Sequence, residues 1–415
     1  MRRAQLSREE ESGNEEVNRR VTRTETRAHR QVWSAWILGM EELDENRRYT
    51  EEFIGTSSAK IPEPVLGAGQ SIVPRVLLSS SNERRKKLVL HVDLNNTILV
   101  SDTATAQGTV AALDSFLSTV TWGHMNEKGR WEWLSDSPSL LPPCEGAVSY
   151  YCQFGRSPHF TSAAGRRFKR ILDEHLFLLR WPEGHKADKD LAVRGEDGNL
   201  YHWILPSFFQ LLKDLVQEGR QFSVLFRTFG MDLPRVLSAV SKALTQGVHP
   251  LFPDLPDLKL SVNPTPGKIC CAKGKISLRR AEEHISSCDG ERGLYQFFSS
   301  VEGLGGFQDH FDWWARNTFS IRGGKPLWVD PFDQHVQHIF IDDNIRHNDE
   351  DTAVCPMVFL DAGGTKTRTA CTAELYDITL VQNNLLRAIS DPNYFTQCIR
   401  VCQDNYDRNL QQGAG

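Results

Sequence analysis

The stretch that decides the fold is Lys87-Leu-Val-Leu-His-Val-Asp93-Leu-Asn-Asn-Thr97. Its first six residues are mostly branched and apolar, and they run directly into a carboxylate followed by polar, turn-forming residues. Such a run is typical of a buried strand in a parallel sheet. We therefore predict that Asp93 lies at the carboxyl edge of the sheet, where open α/β sheets bind ligands. A plainer interpretation is that these polar residues only end the strand through side-chain-to-backbone turns.

Two more segments end in polar groups in the same way. Gln221-Phe-Ser-Val-Leu-Phe-Arg-Thr228 predicts a buried strand that ends at a hydroxyl. Val336-Gln-His-Ile-Phe-Ile-Asp342-Asp343 predicts another strand, which ends in two carboxylates. Acids brought this close repel one another unless a cation lies between them, so the paired acids favour a metal site.

In this order the residues resemble the motifs of the haloacid dehalogenase (HAD)-like superfamily, whose members are mostly phosphatases and phosphotransferases. Asp93-Leu-Asn-Asn-Thr97 is similar to the first motif and Thr228 to the second. Lys325 would be the third motif, and Ile339-Phe-Ile-Asp-Asp343 the fourth. In that fold the second and fourth strands lie on either side of the first, so all of these groups would meet at one edge.

The resemblance covers residues 86–104 and 204–362 in outline. It implies an α/β fold class, namely a Rossmann-like parallel sheet with helices on both faces and an inserted α+β cap. About 100 residues separate Ser101 from the helix predicted at Leu205, whereas a simple crossover needs only about a dozen. The surplus is similar to the cap that family members insert between their first and second motifs.

The resemblance also implies a chemical role for each group. Asp93 would attack phosphorus and form an aspartyl-phosphate. Thr228 would donate its hydroxyl to a phosphate oxygen, and Lys325 would hold the nucleophile and the phosphate by charge. The expected partner is therefore a phosphorylated small molecule or a phosphoprotein.

A magnesium ion is the cofactor that this reading predicts. Mg²⁺ prefers hard oxygen ligands in octahedral geometry, usually one or two carboxylates together with water and substrate. Asp93 and Asp342 would supply the two carboxylates, and Asp343 would bind or orient a water on the metal. The backbone carbonyl of Asn95 is the usual further ligand in the family.

Asn95 is also where the sequence departs from the family. Active phosphatases of the family usually have a second Asp two residues after the nucleophile, and the chain has Asn95 there. An amide has no titratable proton, and loss of a general acid–base group typically costs ~10²–10⁴-fold in rate. We therefore expect a phosphohydrolase or phosphotransferase that is slow or limited by its leaving group. The alternative hypothesis is an inactive binding or regulatory module that has kept the fold.

Three of the predicted site residues have competing interpretations. Thr228 is also consistent with a hydroxyl that merely ends a strand, and Lys325 with a surface lysine that precedes a proline. Lys268 is a rival for the third motif, and Asp349 is a rival for Asp343 as the outer acid.

Composition and patterning divide the chain into six parts. We expect a disordered polar tail (1–30), an amphipathic helix and linker (31–85), a core (86–104 plus 201–390), a cap (105–200), a candidate second insertion within the core (263–320) and a C-terminal helix (391–415).

Local patterns predict several elements within these parts. Trp122 to Trp133 has the pattern of a hairpin. Leu258–Val262 is a strand candidate, and Phe307–Arg316 and Leu380–Ile389 have helical patterns. Asp232 is placed to cap the helix that follows it.

Composition limits the class of protein. The 415-residue chain has 40% hydrophobic residues and 10 Trp, enough for a sizeable core. Its net charge of −5 argues against a general nucleic-acid or membrane-surface binder. The 9 Cys contain no Cys-x-x-Cys, so we expect a reducing compartment. No apolar run is long enough to span a membrane, and the amino-terminal Arg residues are mixed with Glu, unlike a transit peptide. We therefore predict a cytoplasmic protein.

Overall fold

The computed structural model describes residues 86–102, 106–157, 159–347 and 352–413. The predicted polar tail (1–30), the amphipathic helix and linker (31–85) and Asp349 lie outside the described residues. Among the helices of the described part, none combines the length and the apolar character needed to cross a membrane.

The described residues form a mixed α/β structure. Strands β1 to β16 are Lys87–Val92, Trp122–Met125, Trp131–Trp133, Val148–Ser149, Ala192–Arg194, Leu200–His202, Phe222–Thr228, Gly267–Ala272, Lys275–Arg280, Glu283–Ser286, Gly303–Gln308, Lys325–Val329, Val336–Asp342, Val354–Phe359, Thr367–Thr369 and Leu380–Gln382. Helices α1 to α10 are Thr109–Thr119, Tyr150–Phe154, Lys169–Leu179, Pro206–Gln217, Leu233–Gln246, Glu291–Ser300, Phe311–Arg316, Thr372–Leu375, Leu385–Ser390 and Tyr394–Gly413.

A large, mostly parallel sheet lies at the centre of the structure. Its strand order is β10-β9-β8-β11-β7-β1-β13-β16 within the described ranges. All neighbours from β8 to β16 are parallel, and β9 and β10 add antiparallel pairs at one end. The prediction that β7 and β13 flank β1 is confirmed, because Leu90 pairs with Val224 on one side and Ile339 on the other. The carboxyl ends of these three strands therefore lie together.

The side chains of β1 alternate between the two faces of the sheet. Leu88, Leu90 and Val92 belong to a hydrophobic cluster that includes α4, α5 and α10. Val89 belongs to a second cluster, with α6 and strands β12 and β14. A fully buried Leu or Val contributes about 1.5–3 kcal/mol. Packing on both faces thus fixes β1, and with it the position of Asp93.

The predicted cap, residues 105–200, forms α1 to α3 and short antiparallel strands. The hairpin predicted around Asn126 is confirmed, since β2 pairs with β3 and Gly129 N donates to Asn126 O over 2.9 Å. The rings of Trp131 and Trp133 lie 5.8 Å and 5.5 Å from that of Tyr150. These indoles therefore pack within this segment.

This segment shares its hydrophobic core with the central sheet. Phe116 and Leu172, from α1 and α3, lie in the same cluster as Leu90 and Val92 of β1. Residues 263–320, the candidate second insertion, contribute β8 to β11 to the central sheet itself. The division of the chain into domains stays a prediction.

The predicted strand Leu258–Val262 is wrong. Leu255–Leu258 is a short 3₁₀ helix, and Lys259 after it has a left-handed backbone with φ 53°. Only Val262 makes a bridge, to Leu304. The place beside β7 is taken instead by β11, Gly303–Gln308. Gly306 allows this approach, because a Cβ there would lie 2.9 Å from the backbone oxygen of Phe226.

Two predicted helices begin later than expected. Phe307 and Gln308 belong to β11, and helix α7 begins only at Phe311. Similarly, Leu380–Gln382 is the edge strand β16, because it pairs with Phe340–Asp342 on the open side of β13. Helix α9 begins after Asn384, whose side chain accepts a hydrogen bond from Arg387 N. In both cases pairing with a distant strand overrides a local helical pattern.

Candidate active site

The strand ends bring the predicted site residues to one edge of the central sheet. Asp93 follows β1, Thr228 ends β7 and Asp342 ends β13. The parallel ladder continues through the first of these, because Asp93 N donates to Ile341 O over 2.9 Å. Lys325 arrives from the second sheet as the first residue of β12.

Three carboxylates meet at this edge. Asp93, Asp342 and Asp343 each offer an oxygen, and these oxygens lie within 4.8 Å of one another. Asp93 and Asp342 are buried, whereas Asp343 is half-buried. Asp342 Oδ1 accepts the backbone N–H of Asn344 at 2.8 Å, which orients the carboxylate. The cluster can therefore hold a cation through hard oxygen donors.

Lys325 bridges two of these acids. Its Nζ donates to Asp93 Oδ1 at 2.5 Å, to Asp342 Oδ2 at 2.8 Å and to the carbonyl of Arg227 at 3.2 Å. Burial lowers the pKa of Lys325, but the charges of Asp342 and Asp93 outweigh it and hold the pKa above its usual range. Lys325 is thus a buried ammonium, whereas its rival Lys268 is exposed on β8.

The cluster brings three acidic side chains together with one ammonium group, that of Lys325. Burial raises the pKa of Asp93 to about 7, since the loss of hydration together with the charge of Asp342 outweighs the attraction of Lys325. Burial, followed by the charges of Asp342 and Asp93, raises the pKa of Asp343 well above its usual range. Among the described residues, no hydrogen bond or ion pair reaches the Asp343 carboxylate. A bound cation would relieve this imbalance.

Thr228 and Asp93 are held by neighbouring hydroxyl and backbone groups. Thr228 Oγ1 accepts the N–H of Gly230 at 2.9 Å, so its own hydrogen remains available to a ligand oxygen. Gln308 Nε2 donates to Gly230 O at 3.1 Å and steadies the same loop. Thr97 Oγ1 donates to Asp93 Oδ2 at 3.3 Å.

Asn95 contacts the carboxylate of Asp232, a residue that the sequence predicts as a helix cap. Its Nδ2 donates to Ser101 O at 2.9 Å and to Asp232 Oδ2 at 3.2 Å. Asp232 does precede α5 as predicted, but its side chain makes no capping bond there. A Cβ at Gly230 would lie 3.3 Å from Asn95 Oδ1, 3.4 Å from Thr228 Oγ1 and 3.6 Å from Asp232 Oδ2. Asp232 therefore borders the site.

A buried ion pair beneath the site was not predicted. Arg227 bonds Asp309 through two nitrogens, at 2.9 Å and 2.7 Å, and both side chains are fully buried. Arg227 also donates to the carbonyl of Pro326 at 3.0 Å. It therefore ties β7 and the residue after β11 to the strand that begins with Lys325. The available signal was a charged residue inside the apolar run before Thr228.

Two buried histidines extend this network away from the site. Arg227 Nη1 lies 3.1 Å from His91 Nδ1, and His91 Nε2 lies 3.0 Å from His338 Nδ1. Because a guanidinium can only donate, His91 Nδ1 must accept and His91 Nε2 must carry the hydrogen. Burial lowers the pKa of both rings, that of His338 to about 3. Both histidines are therefore neutral.

Comparison of the chain with protein-family models, with curated proteins and with solved structures found no match. The features that bear on function are the three clustered acids, the buried lysine between two of them, and the Asn95–Asp232 contact.

Proposed function

We propose that this chain is a Mg²⁺-dependent phosphohydrolase or phosphotransferase of the HAD-like superfamily, acting through an aspartyl-phosphate on Asp93. The observation that carries the proposal is the convergence of Asp93, Asp342 and Lys325 at one sheet edge, with Lys325 Nζ 2.5 Å and 2.8 Å from the two carboxylates. Phosphoryl transfer requires a nucleophile, a cation and fixed donors for the phosphate oxygens. These residues offer the nucleophile, ligands for the cation and the donors.

The donor set supports Mg²⁺ as the cation. Asp93, Asp342 and Asp343 would hold it with their clustered carboxylates, and in our proposal the backbone carbonyl of Asn95 adds a further ligand. When bound, Mg²⁺ would supply the positive charge that neutralises the phosphate oxygens. The unpartnered carboxylate of Asp343 is the observation that favours a cation over a purely structural cluster.

Three side chains of the site would have separate roles in phosphoryl transfer. Asp93, held by Lys325 and Thr97, would attack phosphorus with its free electron pair. Thr228 would donate its available hydroxyl hydrogen to a phosphate oxygen. Lys325 would hold the Asp93 carboxylate and the phosphate by its positive charge. In this proposal residues 105–200 are the cap, and the substrate is a phosphorylated small molecule or a phosphoprotein.

A second candidate function is a binding or regulatory module without turnover. The observation that favours it is Asn95, because an amide at that position cannot do acid–base work. Such a module would still bind a cation and phosphate at the same edge. Turnover separates the two candidates, since cation binding is common to both.

The test is an assay of the purified full-length chain on an aryl phosphate and on a panel of phosphorylated metabolites, with Mg²⁺ and with chelator. We expect Mg²⁺-dependent phosphate release that is lost in Asp93→Asn, because an amide is no nucleophile. The exposed Asp257 offers a matched control, and Asp257→Asn should keep full activity. Release that persists in chelator would remove the metal mechanism, and no release from any substrate would favour the module.

A further inference from the structure

The amide of Asn95 is fixed by its two hydrogen bonds. Its Nδ2 hydrogens are both used within the protein, by Ser101 O at 2.9 Å and by Asp232 Oδ2 at 3.2 Å. The amide oxygen is therefore turned toward Gly230, where a Cβ would lie 3.3 Å from it. An amide held in this way can accept a hydrogen bond from a ligand, but it neither delivers nor removes a proton.

Phosphoryl transfer through Asp93 has two steps with different needs. In the first, an Asp93 oxygen forms a bond to phosphorus as the bond from phosphorus to the leaving oxygen breaks. The electron pair departs with the leaving group, which needs a proton unless it is already a stable anion. In the second, water forms a bond to phosphorus, the bond to Asp93 breaks, and the water must give up a proton. A fixed amide serves neither transfer.

We propose, resting on the function proposed above, that Asp93 takes its phosphoryl group from acyl phosphates and that the resulting aspartyl-phosphate accumulates. An acyl phosphate releases a carboxylate, which is a stable anion near neutral pH, so the first step proceeds without a proton donor. The second step lacks a base to activate water, so it becomes slow. The chain is then a phosphoryl acceptor with a long-lived phosphorylated state.

Two other titratable side chains of this region, His91 and Lys325, are held in other contacts. Both ring nitrogens of His91 are engaged in the buried network, with Arg227 and with His338. Lys325 lies between two carboxylates and carries a positive charge. Asp232 accepts a hydrogen bond from Asn95, and its carboxylate is a competing candidate for the base that a substitution can test.

The experiment is intact-mass spectrometry of the full-length chain after incubation with Mg²⁺ and acetyl phosphate. We expect most of the protein to gain the mass of one phosphoryl group, at Asp93 by peptide mapping, and hydroxylamine to remove it as it does an acyl phosphate. An alkyl phosphate should leave the mass unchanged, because its alkoxide needs a proton. Asp93→Asn should gain nothing, and its melting curve shows whether it is folded.

Two variants then measure the lifetime of the adduct after the donor is removed. Asn95→Asp should shorten it by a factor within ~10²–10⁴, the range for acid–base catalysis. Asp232→Asn should not lengthen it. A longer-lived adduct in Asp232→Asn would identify Asp232 as the base and overturn the proposal, whatever Asn95→Asp does.

Measurements on the wild-type chain distinguish failure of the long-lived adduct from failure of the proposed phosphoryl-transfer function. If it releases phosphate from acetyl phosphate rapidly with no adduct, the long-lived state is refuted while the phosphoryl-transfer function stands. If it forms no adduct and releases no phosphate from any donor, the proposed function itself fails. Neither outcome depends on whether a variant folds.

Discussion

At the scale of single residues, the chemistry of the site depends on where one ammonium group lies. Lys325 is 2% exposed and contacts both Asp93 and Asp342. Without it, two buried carboxylates would face each other with no compensating charge. A buried pair of this kind gives little net stability over apolar packing, but removing one partner leaves an uncompensated charge.

Replacing Lys325 should therefore destabilise the metal-free protein strongly. We expect Lys325→Met to lower the free energy of unfolding by about 3–5 kcal/mol, because the carboxylates are left unpaired. Urea unfolding in chelator measures the loss. Lys268→Met, at an exposed position on β8, is the control and should change stability by less than about 0.5 kcal/mol. Equal losses in the two variants would mean that Lys325 is not paired as described.

Protonation of Asp93 should oppose cation binding. Burial raises the pKa of Asp93 to about 7, so a large share of this carboxyl is neutral below that pH. Because a metal ligand must be ionised, we expect Mg²⁺ affinity to fall as the pH drops from 8 to 6. Titration calorimetry at several pH values measures this. Asp93→Asn should make the fall less steep and leave the part due to Asp343, whose pKa is also raised. An equally steep fall in that variant would assign the whole effect to another group.

At the scale of elements, two buried histidines join the end of β6 to the loop after α5. His202 and His249 stack with ring centroids 5.2 Å apart. Burial lowers the pKa of His202 to about 4. Burial, together with the charge of His202, lowers the pKa of His249 to about 3. Each ring is thus neutral in the folded protein over a range in which the unfolded chain binds a proton.

This pair should make the protein less stable in acid. Below pH 6.5, the ordinary pKa of histidine, the unfolded chain binds more protons than the folded protein. The stability therefore falls as the pH is lowered, until the folded rings themselves protonate at about pH 4 and about pH 3. Each histidine contributes about 1.4 kcal/mol per pH unit in that window. His249→Phe should reduce the loss measured by urea unfolding at pH 7 and pH 5. His284→Phe, at an exposed position, should leave it unchanged.

If His249→Phe shows the same loss of stability between pH 7 and pH 5 as the wild type, the acid sensitivity arises elsewhere. The other buried histidines, His91 and His338, have lowered pKa values for the same reason. They would then be the groups to substitute next.

At the scale of the whole molecule, residues 105–200 and the central sheet share one hydrophobic core. Phe168 of this segment is fully buried and lies in the same cluster as Leu90 of β1. Lys242 of α5 also binds Asp188 and Asp190, at 2.7 Å and 2.8 Å. These contacts join the segment to the core.

We therefore expect the two parts to unfold together. Phe168→Ala should lower the free energy of unfolding by about 3–5 kcal/mol, as for other large cavities. Tryptophan fluorescence and far-UV circular dichroism should still report coincident transitions. Phe177→Ala is the matched control, because Phe177 is 68% exposed. An early fluorescence transition in Phe168→Ala would show that this segment unfolds independently.

The sequence by itself determined the parallel strands and the order in which polar groups end them. An apolar run before Asp93, Thr228 or Asp342 encodes a buried strand within a few residues, and parallel pairing then brings the ends to one edge. That is why β1, β7 and β13 and the polar residues that end them were predictable, and why the coarse α/β architecture was confirmed. The HAD-like identity, the cofactor and the activity stay predictions.

Only the tertiary structure decided which distant groups meet. Lys325 and Asp93 are 232 positions apart, and Asn95 and Asp232 are 137 apart. The neighbouring sequence therefore does not show that Lys325, and not Lys268, pairs with Asp93. Nor does it show that the Asp232 side chain contacts Asn95 instead of capping its helix. The same holds for Leu380–Gln382, which is a strand because the edge of β13 was open to it. The local hydrophobic pattern predicts which residues are buried, whereas contacts across the sheet depend on the packing of segments that are distant in sequence.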